Sequence, residues 1–443
     1  MDVEILARVQ FAFTAAFHYI YPPLSIGLGL ILVIMEGLWL RTRNSLWHEL
    51  ARFWTRVFAL TFALGVASGV VMEFEFGTNW ATYSRYVGDI FGSALAAEGI
   101  FAFFLESSFL AVLLFGWNKV GPRMHFFSTL MVALGAHFSA VWIIVANSWQ
   151  QTPAGFHIVG EGLAARAEVT DFWAMVFNPS TVDRLCHTVS GAWLAGAFLV
   201  MSVSAWYLLR ARHVAFAKAA LKVALPVALV AALLQLVTGH HSAVGVARYQ
   251  PAKLAALEGH YPDGPAGMWL CGWVNDAEET VSGVQIPGLL SWLVRYDANA
   301  EITGLDAFAK EDRPPVNLTF QCYHLMVVCG ALIVIVSVGG VLLWWWRGRL
   351  FDHRGALWVL VFAVALPQIA NQTGWFAAEI GRQPWIVYNL LRTSDALSRV
   401  VTAQQVLASL LLFALIYSLL FVLFIYLLNR RIQLGPAARE ERL

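Results

Sequence analysis

The stretch Glu379-Ile-Gly-Arg-Gln-Pro-Trp385 follows an apolar run that extends from Gly355 to Ala378. It places a carboxylate, a guanidinium and a helix-breaking proline at the end of a segment long enough to cross a membrane. A carboxylate near the hydrocarbon is tolerated when it is neutral, paired with a cation, or bound to a metal. The ordinary alternative is a helix end whose charged side chains reach back to the lipid headgroups. The stretch therefore predicts a membrane helix with a functional site at its end.

The composition of the whole chain agrees with a membrane location. Of its 443 residues, 59% are hydrophobic and 13% are charged, whereas soluble domains have about 25% charged residues. The formal net charge of +1 argues against a nucleic-acid partner. Residues 1–10 lack the cationic start of a cleavable signal peptide, so we expect the first helix to remain. No C-x-x-C-H motif is present, so covalently attached haem is not indicated.

Nine apolar runs of about 20 residues or more predict nine transmembrane helices in an all-α integral membrane protein. The runs cover residues 9–38, 53–73, 94–116, 126–147, 184–209, 219–238, 322–346, 355–378 and 404–428. We expect a single transmembrane domain over residues 1–443. The polar segment 239–321, between the sixth and seventh spans, is predicted to be a long extracytoplasmic loop.

The distribution of basic residues predicts the orientation of these spans. If the N-terminus lies outside, the cytoplasmic loops and helix ends hold seventeen of the 29 Lys and Arg residues. These are Arg41, Arg43, Arg52, Arg56, Lys119, Arg123, Arg210, Arg212, Lys218, Lys222, Arg347, Arg349, Arg354, Arg430, Arg431, Arg439 and Arg442. By the positive-inside rule the N-terminus is extracytoplasmic and the C-terminus is cytoplasmic.

With this predicted orientation, the candidate metal ligands lie in the outer half of the membrane. His187 and Met326 begin the fifth and seventh spans, and Glu379 ends the eighth. His18 lies somewhat deeper in the first span, just before Tyr21-Pro-Pro23, whose prolines predict a kink. Structural polar residues alone would not be expected to favour one leaflet.

Histidine and methionine together form the axial pair of a low-spin, electron-transferring haem, and His187 with Met326 fits that pattern. The simpler alternatives are a packed histidine at a helix end and a methionine in an ordinary core. His324 competes with Met326, but two positions on a helix differ by about 200°, so both cannot face one iron. We favour Met326.

Glu98 and Glu106 lie eight residues apart on one helix, which is about 12 Å along the axis and about 80° around it. Two carboxylates on one broad helix face suit a proton relay, and the alternative is a hydrogen bond to a neighbouring helix. His137 and Asn147 in the fourth span either line the same cavity or bridge helices.

Together these residues resemble subunit I of the cytochrome bd-type quinol oxidases, and the resemblance covers essentially the whole chain. It implies that His18 binds a high-spin haem and that His187 and Met326 bind a low-spin b-type haem. Glu379 would bind the other high-spin haem, and one of the high-spin haems is d-type or both are b-type. The motifs that carry the resemblance include Gly374-Trp-Phe376 and Gly381-Arg-Gln-Pro-Trp385.

Further residues take their expected roles from the same resemblance. Glu98 and Glu106 match the paired glutamates near the di-haem site. Gln250-Pro-Ala-Lys253 and Glu258 match the part of the family's Q-loop that contacts quinol. Because a fixed cation stabilises an anion, Arg382 is expected to neutralise Glu379 or a haem propionate. Trp375 is expected to pack against a porphyrin or between haems.

The implied activity is that of a terminal oxidase in a multi-pass subunit of the bacterial cytoplasmic membrane. Quinol is oxidised at the outer face and its electrons pass through the low-spin haem to the two high-spin haems. Dioxygen is reduced to water there with cytoplasmic protons, so proton motive force arises without pumping. The expected partners are quinol, dioxygen, membrane lipid and a second transmembrane subunit, with a small single-helix subunit as a further candidate.

Two departures from better-known members point to a particular branch of the family. His324 stands where those members have an arginine, two residues before the haem methionine. The loop after Glu258 is also compact. Both features resemble the cyanide-insensitive branch.

The residues alone are also consistent with two other functions. A quinol-linked b-type electron carrier that does not reduce oxygen would use His187 and Met326 but leave His18, Glu98 and Glu379 unexplained. A proton-coupled transporter would use the buried glutamates without any haem.

Overall fold

The computed structural model describes residues 2–346 and 348–436. Within them, nine helical segments are long and apolar enough to cross a membrane, which confirms the predicted number of spans. Three basic residues assigned to the cytoplasmic side from the sequence, Arg347, Arg439 and Arg442, lie outside the described residues.

Helices make up most of the described chain. In order they are α1 (Val3–His18), α2 (Tyr21–Thr42), α3 (Ser45–Thr78), α4 (Ala81–Tyr86), α5 (Gly88–Glu98), α6 (Phe104–Phe115), α7 (Pro122–Gln151), α8 (Phe172–Val176), α9 (Thr181–Leu209), α10 (Val214–Tyr249), α11 (Pro251–Glu258), α12 (Leu289–Arg295), α13 (Val316–Trp345), α14 (Arg354–Phe362), α15 (Ala365–Ile380) and α16 (Ala403–Leu434). Three spans contain two helices each: α1 with α2, α5 with α6, and α14 with α15.

The strands of the described residues form four small antiparallel pairs outside the spans. They are β1 (Phe156–Val159) with β2 (Arg166–Val169), β3 (Gly264–Pro265) with β6 (Glu301–Ile302), β4 (Met268–Asn275) with β5 (Thr280–Ile286), and β7 (Trp385–Val387) with β8 (Leu391–Arg392). The pairs β3–β6 and β4–β5 belong to the segment predicted as a loop, residues 239–321. That segment begins inside α10, which continues through Tyr249 because residues 239–250 contain no proline and the next one is Pro251.

The kink predicted in the first span is present between α1 and α2. Pro22 and Pro23 occupy the first turn of α2, where a missing N–H removes no helical hydrogen bond. On the other side of the break, the Gln372 side-chain amide donates a 2.7 Å hydrogen bond to the Ala16 carbonyl. The Gln372 amide therefore satisfies the Ala16 carbonyl that the break leaves without a helical partner. His18 is the last residue of α1.

The fifth span, α9, is the most deeply buried of the nine and packs against α2, α7, α10 and α14. Its contact with α2 is close because glycines face each other at Gly27 and Gly196. A methyl group at position 27 would lie 2.3 Å from the Ala192 carbonyl oxygen. Small residues let helix backbones approach in a membrane, where packing drives association.

Replacing Gly27 by alanine should therefore separate α2 from α9. We expect Gly27→Ala to lower the free energy of unfolding by about 1–3 kcal/mol, as overpacking does in a filled core. The matched control is Gly339→Ala in α13, where an added methyl group meets nothing within 4 Å. Thermal unfolding of the purified protein in detergent measures both, and equal midpoints for the two variants would contradict the close contact.

Candidate functional site

One cavity of about 1350 Å³ runs between the spans and is lined by every site residue predicted from the sequence. These are His18, Glu98, Glu106, His187, Lys253, Glu258, Met326, Trp375, Glu379 and Arg382. The volume exceeds the roughly 300–1,000 Å³ of a typical small-molecule pocket. The tertiary structure thus brings together residues from the first span to the end of the eighth around a space large enough for more than one ligand.

The Glu379 carboxylate is held on both oxygens. Arg382 Nη2 lies 2.6 Å from Oε2, so Glu379 and Arg382 form the ion pair that the sequence led us to expect. The amides of Asn147 and Gln151, one turn apart on α7, donate to Oε1 at 3.0 and 3.3 Å. Charge-assisted hydrogen bonds of this kind stabilise a carboxylate that is largely removed from water.

Two further basic side chains contact the amides that hold this carboxylate. The Arg184 guanidinium donates to the Asn147 side-chain oxygen, and the Lys253 side-chain nitrogen donates to that of Gln151. Burial, reinforced by Arg184 and Arg382, lowers the pKa of Lys253 well below its usual value, against the effect of Glu379. The guanidinium groups of Arg184 and Arg382 already exceed the single negative charge of Glu379, which favours an anionic occupant.

The two candidate histidine ligands are oriented by hydroxyl groups on neighbouring spans. His187 Nδ1 lies 3.0 Å from Thr238 Oγ1, and that hydroxyl donates to a backbone carbonyl of its own helix. His18 Nδ1 lies 3.0 Å from Ser68 Oγ, which is likewise engaged as a donor. Each Nδ1 therefore carries the proton and each Nε2 keeps its lone pair, the arrangement that metal-binding histidines use.

Each candidate iron ligand on the first, fifth and seventh spans also faces a glycine of the next span. The pairs are His18 with Gly69, His187 with Gly239, and Met326 with Gly374. A methyl group at position 374 would lie 2.7 Å from Met326 Sδ. The glycines leave room for these side chains to lie flat against the adjacent helix.

His324 and Met326 point in different directions, as their spacing predicts. The His324 ring is buried and its Nε2 lies 3.0 Å from the Trp269 carbonyl oxygen in β4. It also stacks on Phe320 with 3.8 Å between ring centroids. His324 therefore links α13 to the segment 239–321, and Met326 faces the cavity.

Glu98 and Glu106 are separated by a π-helical turn, Gly99–Phe103, that the sequence did not reveal. Residues of a π-turn rotate by less than those of an α-helix, so the two side chains are closer in rotation than the predicted 80° or so. Ser139 Oγ of α7 donates to Glu98 at 2.9 Å, and a methyl group at Gly135 would lie 2.8 Å from Glu106 Cβ. Both glutamates thus lie against α7.

Of the two roles considered for His137 and Asn147 of α7, lining the cavity or bridging helices, each residue takes one. Asn147 lines the cavity and binds Glu379. His137 bridges helices, because its Nε2 accepts a 2.9 Å hydrogen bond from Trp193 Nε1 of α9.

Glu258 ends α11, lines the cavity and is 1% exposed. Neither carboxylate oxygen makes a hydrogen bond of good geometry. Burial raises the pKa of Glu258 to about 8, although the nearby Tyr323 hydroxyl and Trp269 N–H act in the opposite direction. A buried carboxylate with unsatisfied oxygens beside a cavity is suited to a ligand that donates hydrogen bonds.

Comparison with known proteins places this geometry in a family. The sequence model described as "Cytochrome bd terminal oxidase subunit I" matches residues 6–436. The chain belongs to this family. Its members carry haem and work with a second subunit.

Individual members of the cytochrome bd family are similar over nearly their whole length. Cytochrome bd ubiquinol oxidase subunit 1 of Bacillus subtilis (strain 168) is 36% identical over 450 residues, covering 98% of this chain and 94% of that protein. Cytochrome bd-II ubiquinol oxidase subunit 1 of Escherichia coli (strain K12) is 34% identical over 507 residues, with 99% and 98% covered. The solved bd oxidase from Geobacillus thermodenitrificans superposes with a TM-score of 0.90 at 27% identity, covering 98% of each chain.

The residues of this bd-family chain fit a haem in several respects. The cavity contains two histidines whose Nε2 atoms are free, and the thioether of Met326 faces the same space. Arg382 Nη1 and Arg184 Nε have no hydrogen-bond partner, and the surplus cations around Glu379 suit the propionates of a haem. The donor set and the charge therefore agree with the cofactor that the family carries.

Sequence reasoning missed Arg184, Gln151 and the glycines. The available signal for Arg184 was a cation three residues before a candidate ligand at the outer end of a span. The available signal for Gly69, Gly239 and Gly374 was weak, because glycine is common in membrane helices.

The contact between Gly374 and Met326 gives a direct test of the site. We expect Gly374→Ala to displace the Met326 thioether and change the haem absorption of the protein, since the added methyl group overlaps Sδ. Optical spectra of the purified complex in both redox states measure this. Gly339→Ala is the matched control on α13, and unchanged haem absorption in Gly374→Ala would remove Met326 from the candidate haem ligands.

Proposed function

We propose that this chain is the subunit of a cytochrome bd-type oxidase that oxidises quinol at the outer face and reduces dioxygen to water. The supporting observation is one continuous cavity that reaches from Glu258 to the Glu379 cluster and to His18. Membership of the terminal oxidase family supports oxygen reduction over the b-type electron carrier. Protons taken from the cytoplasm and released outside would build proton motive force without a pump.

We assign the haem sites as follows. His187 and Met326 would hold a low-spin b-type haem, His18 one high-spin haem and Glu379 the other, with either one d-type macrocycle or b-type throughout. Bound haem would supply electron transfer and the dioxygen site. The protein positions these groups through the Thr238 and Ser68 hydroxyls and through Arg382. Trp375, on the cavity wall beside Gly374, would pack against a porphyrin.

The substrate end of the site is assigned to α11. Glu258 would accept a proton from quinol, because its carboxylate is buried, faces the cavity and has unsatisfied oxygens. Lys253, five residues earlier in the same helix, is the second predicted member of this quinol-binding segment. The relatives' names include both ubiquinol and menaquinol oxidases.

Protons for oxygen reduction would pass along α7. Glu106 would hand protons to Glu98, and the Ser139 hydroxyl is placed to orient the Glu98 carboxylate. The π-turn between the two glutamates supports this assignment, since such turns occur frequently at functional sites.

The orientation and branch are further parts of the proposal. The N-terminus would lie outside and the C-terminus in the cytoplasm, in the bacterial cytoplasmic membrane and bound to subunit II. The cyanide-insensitive branch is supported by His324 and by the compact loop. The comparison with the E. coli relative spans 507 positions, more than the 443 residues of this chain, so that relative contains insertions.

The function is tested on the purified complex. We expect haem bands in the reduced-minus-oxidised spectrum and quinol-dependent oxygen uptake that persists in cyanide. Met326→Leu should perturb the low-spin haem selectively, because leucine offers no sulfur ligand. Spectra without haem bands would end the oxidase proposal, and haem bands without oxygen uptake would favour the electron carrier.

The pH dependence of quinol oxidation tests Glu258. Only the ionised carboxylate can accept a proton, and with a pKa of about 8 the ionised form increases as pH rises through that value. We therefore expect the rate to rise with pH in this window, and Glu258→Gln to slow turnover and remove the rise while all haem bands stay. A wild-type pH profile in Glu258→Gln would remove this residue from proton transfer.

A further inference from the structure

We infer that the buried pair of Glu36 and His125 positions Glu106 by fixing the C-terminal end of α6 against α7. This role rests on the proposed function, in which Glu106 passes protons to Glu98. The side chains of Glu36 and His125 are not part of the cavity wall, so they act through their contacts with neighbouring helices.

The pair joins α2 to α7. His125 Nδ1 lies 2.6 Å from Glu36 Oε1, and the Thr129 hydroxyl donates to Glu36 Oε2 at 2.5 Å. Glu36 and His125 are each 1% exposed. A hydrogen bond to a carboxylate is stronger in such a dry site than in water, so this junction holds the imidazole ring in one place.

The other ring nitrogen of His125 reaches α6. Nε2 lies 3.2 Å from the Leu113 carbonyl oxygen, and a carbonyl oxygen only accepts, so Nε2 donates to it. Leu113 lies in the last turn of α6, where carbonyl groups have no donor within the helix. Trp117 covers the imidazole, with 3.8 Å between the ring centroids. His125 therefore caps the end of α6, and Glu36 orients His125.

Leu113 and Glu106 lie on the same side of α6. Seven helical residues are about 20° short of two full turns. Near Glu106 the packing against α7 is close, because a methyl group at Gly135 would lie 2.8 Å from Glu106 Cβ. α7 thus holds α6 at two points, with His125 at Leu113 and Gly135 at Glu106.

The π-turn directly before α6 makes the position of Glu106 sensitive to this contact. In Gly99–Phe103 the chain carries an extra residue, and the Phe104 N–H donates to the Gly99 carbonyl, five residues earlier. The turn can become regular α-helix only if α6 moves by about 1.5 Å along its axis and rotates by about 100°. The bond from His125 to Leu113 opposes both movements and so keeps Glu106 in place relative to Glu98.

The experiment uses the purified complex with its haems. His125→Phe keeps an aromatic ring beside Trp117 but removes the donor to Leu113. We expect faster hydrogen–deuterium exchange of the amides of residues 99–106 and a kcat lower on the order of tenfold. The solvent deuterium isotope effect on kcat should increase, because proton delivery becomes the slow step. KM for a short-chain ubiquinol should stay within about twofold, since substrate binding is unaffected.

Two substitutions of Glu36 separate positioning from proton transfer. In Glu36→Gln the new amide can donate to His125 Nδ1 and accept from Thr129, so the bond to Leu113 is kept. We expect this variant to have a kcat within about twofold of wild type and the wild-type isotope effect. Glu36→Leu should reproduce the changes of His125→Phe. Equal loss of turnover in Glu36→Gln and Glu36→Leu would overturn the inference, because it would make Glu36 a proton carrier.

Tyr207→Phe is the matched control for the loss of a buried hydrogen bond. It removes the 2.7 Å bond from the Tyr207 hydroxyl to the Ile432 carbonyl, which joins α9 to α16. We expect wild-type exchange in residues 99–106 and a wild-type isotope effect. Equal changes in Tyr207→Phe and His125→Phe would mean a general loss of stability and would overturn the inference.

The near-isosteric Thr129→Val decides if His125→Phe does not assemble. It loosens the same carboxylate and should shift the exchange, kcat and the isotope effect in the same directions, and wild-type values for all three would overturn the inference. Failure of the proposed function is seen separately, as a Glu106→Gln variant with wild-type kcat, and it leaves the exchange result unaffected.

Discussion

The Glu379 carboxylate, bound by Arg382, Asn147 and Gln151, is the interaction on which the arrangement of the site depends. An ionised carboxylate at the edge of the hydrocarbon is stable only with several well-placed partners. Those partners come from α7 and from the turn after α15, and Lys253 of α11 reaches them through Gln151. Satisfying one charge therefore requires helices that are distant in sequence to converge at one place in the cavity.

Interruptions in three spans are a second constraint on the site. The break after His18 is stabilised by Gln372, and the π-turn after Glu98 brings the two glutamates closer in rotation. Irregular backbone inside a membrane is tolerated where it is buried in protein or lines a cavity. Two of these interruptions adjoin a predicted site residue, so the departures from regular helix lie where the site needs them.

Much of the fold and of the candidate site could be predicted because membrane helices have a strong local signal. Runs of apolar residues identify the spans, and the charge bias predicts which ends share a side. Residue type and predicted depth in the membrane then indicated His187, Met326 and Glu379 as candidate haem ligands. Hydropathy could not give the end of α10, since polar residues such as His240 lower hydropathy without ending a helix.

The nine spans, the prolines that kink the first span, and the different directions of His324 and Met326 can be read from the amino-acid sequence, because they depend on helical period and local chemistry. The sequence does not show that Lys253 contacts Gln151, that Arg184 joins the same cluster, or that Gly374 lies against Met326, and these contacts come from the tertiary structure. These contacts depend on which helix faces which. In a membrane that choice follows from close packing and side-chain hydrogen bonds between helices, which leave little periodic trace in any one of them.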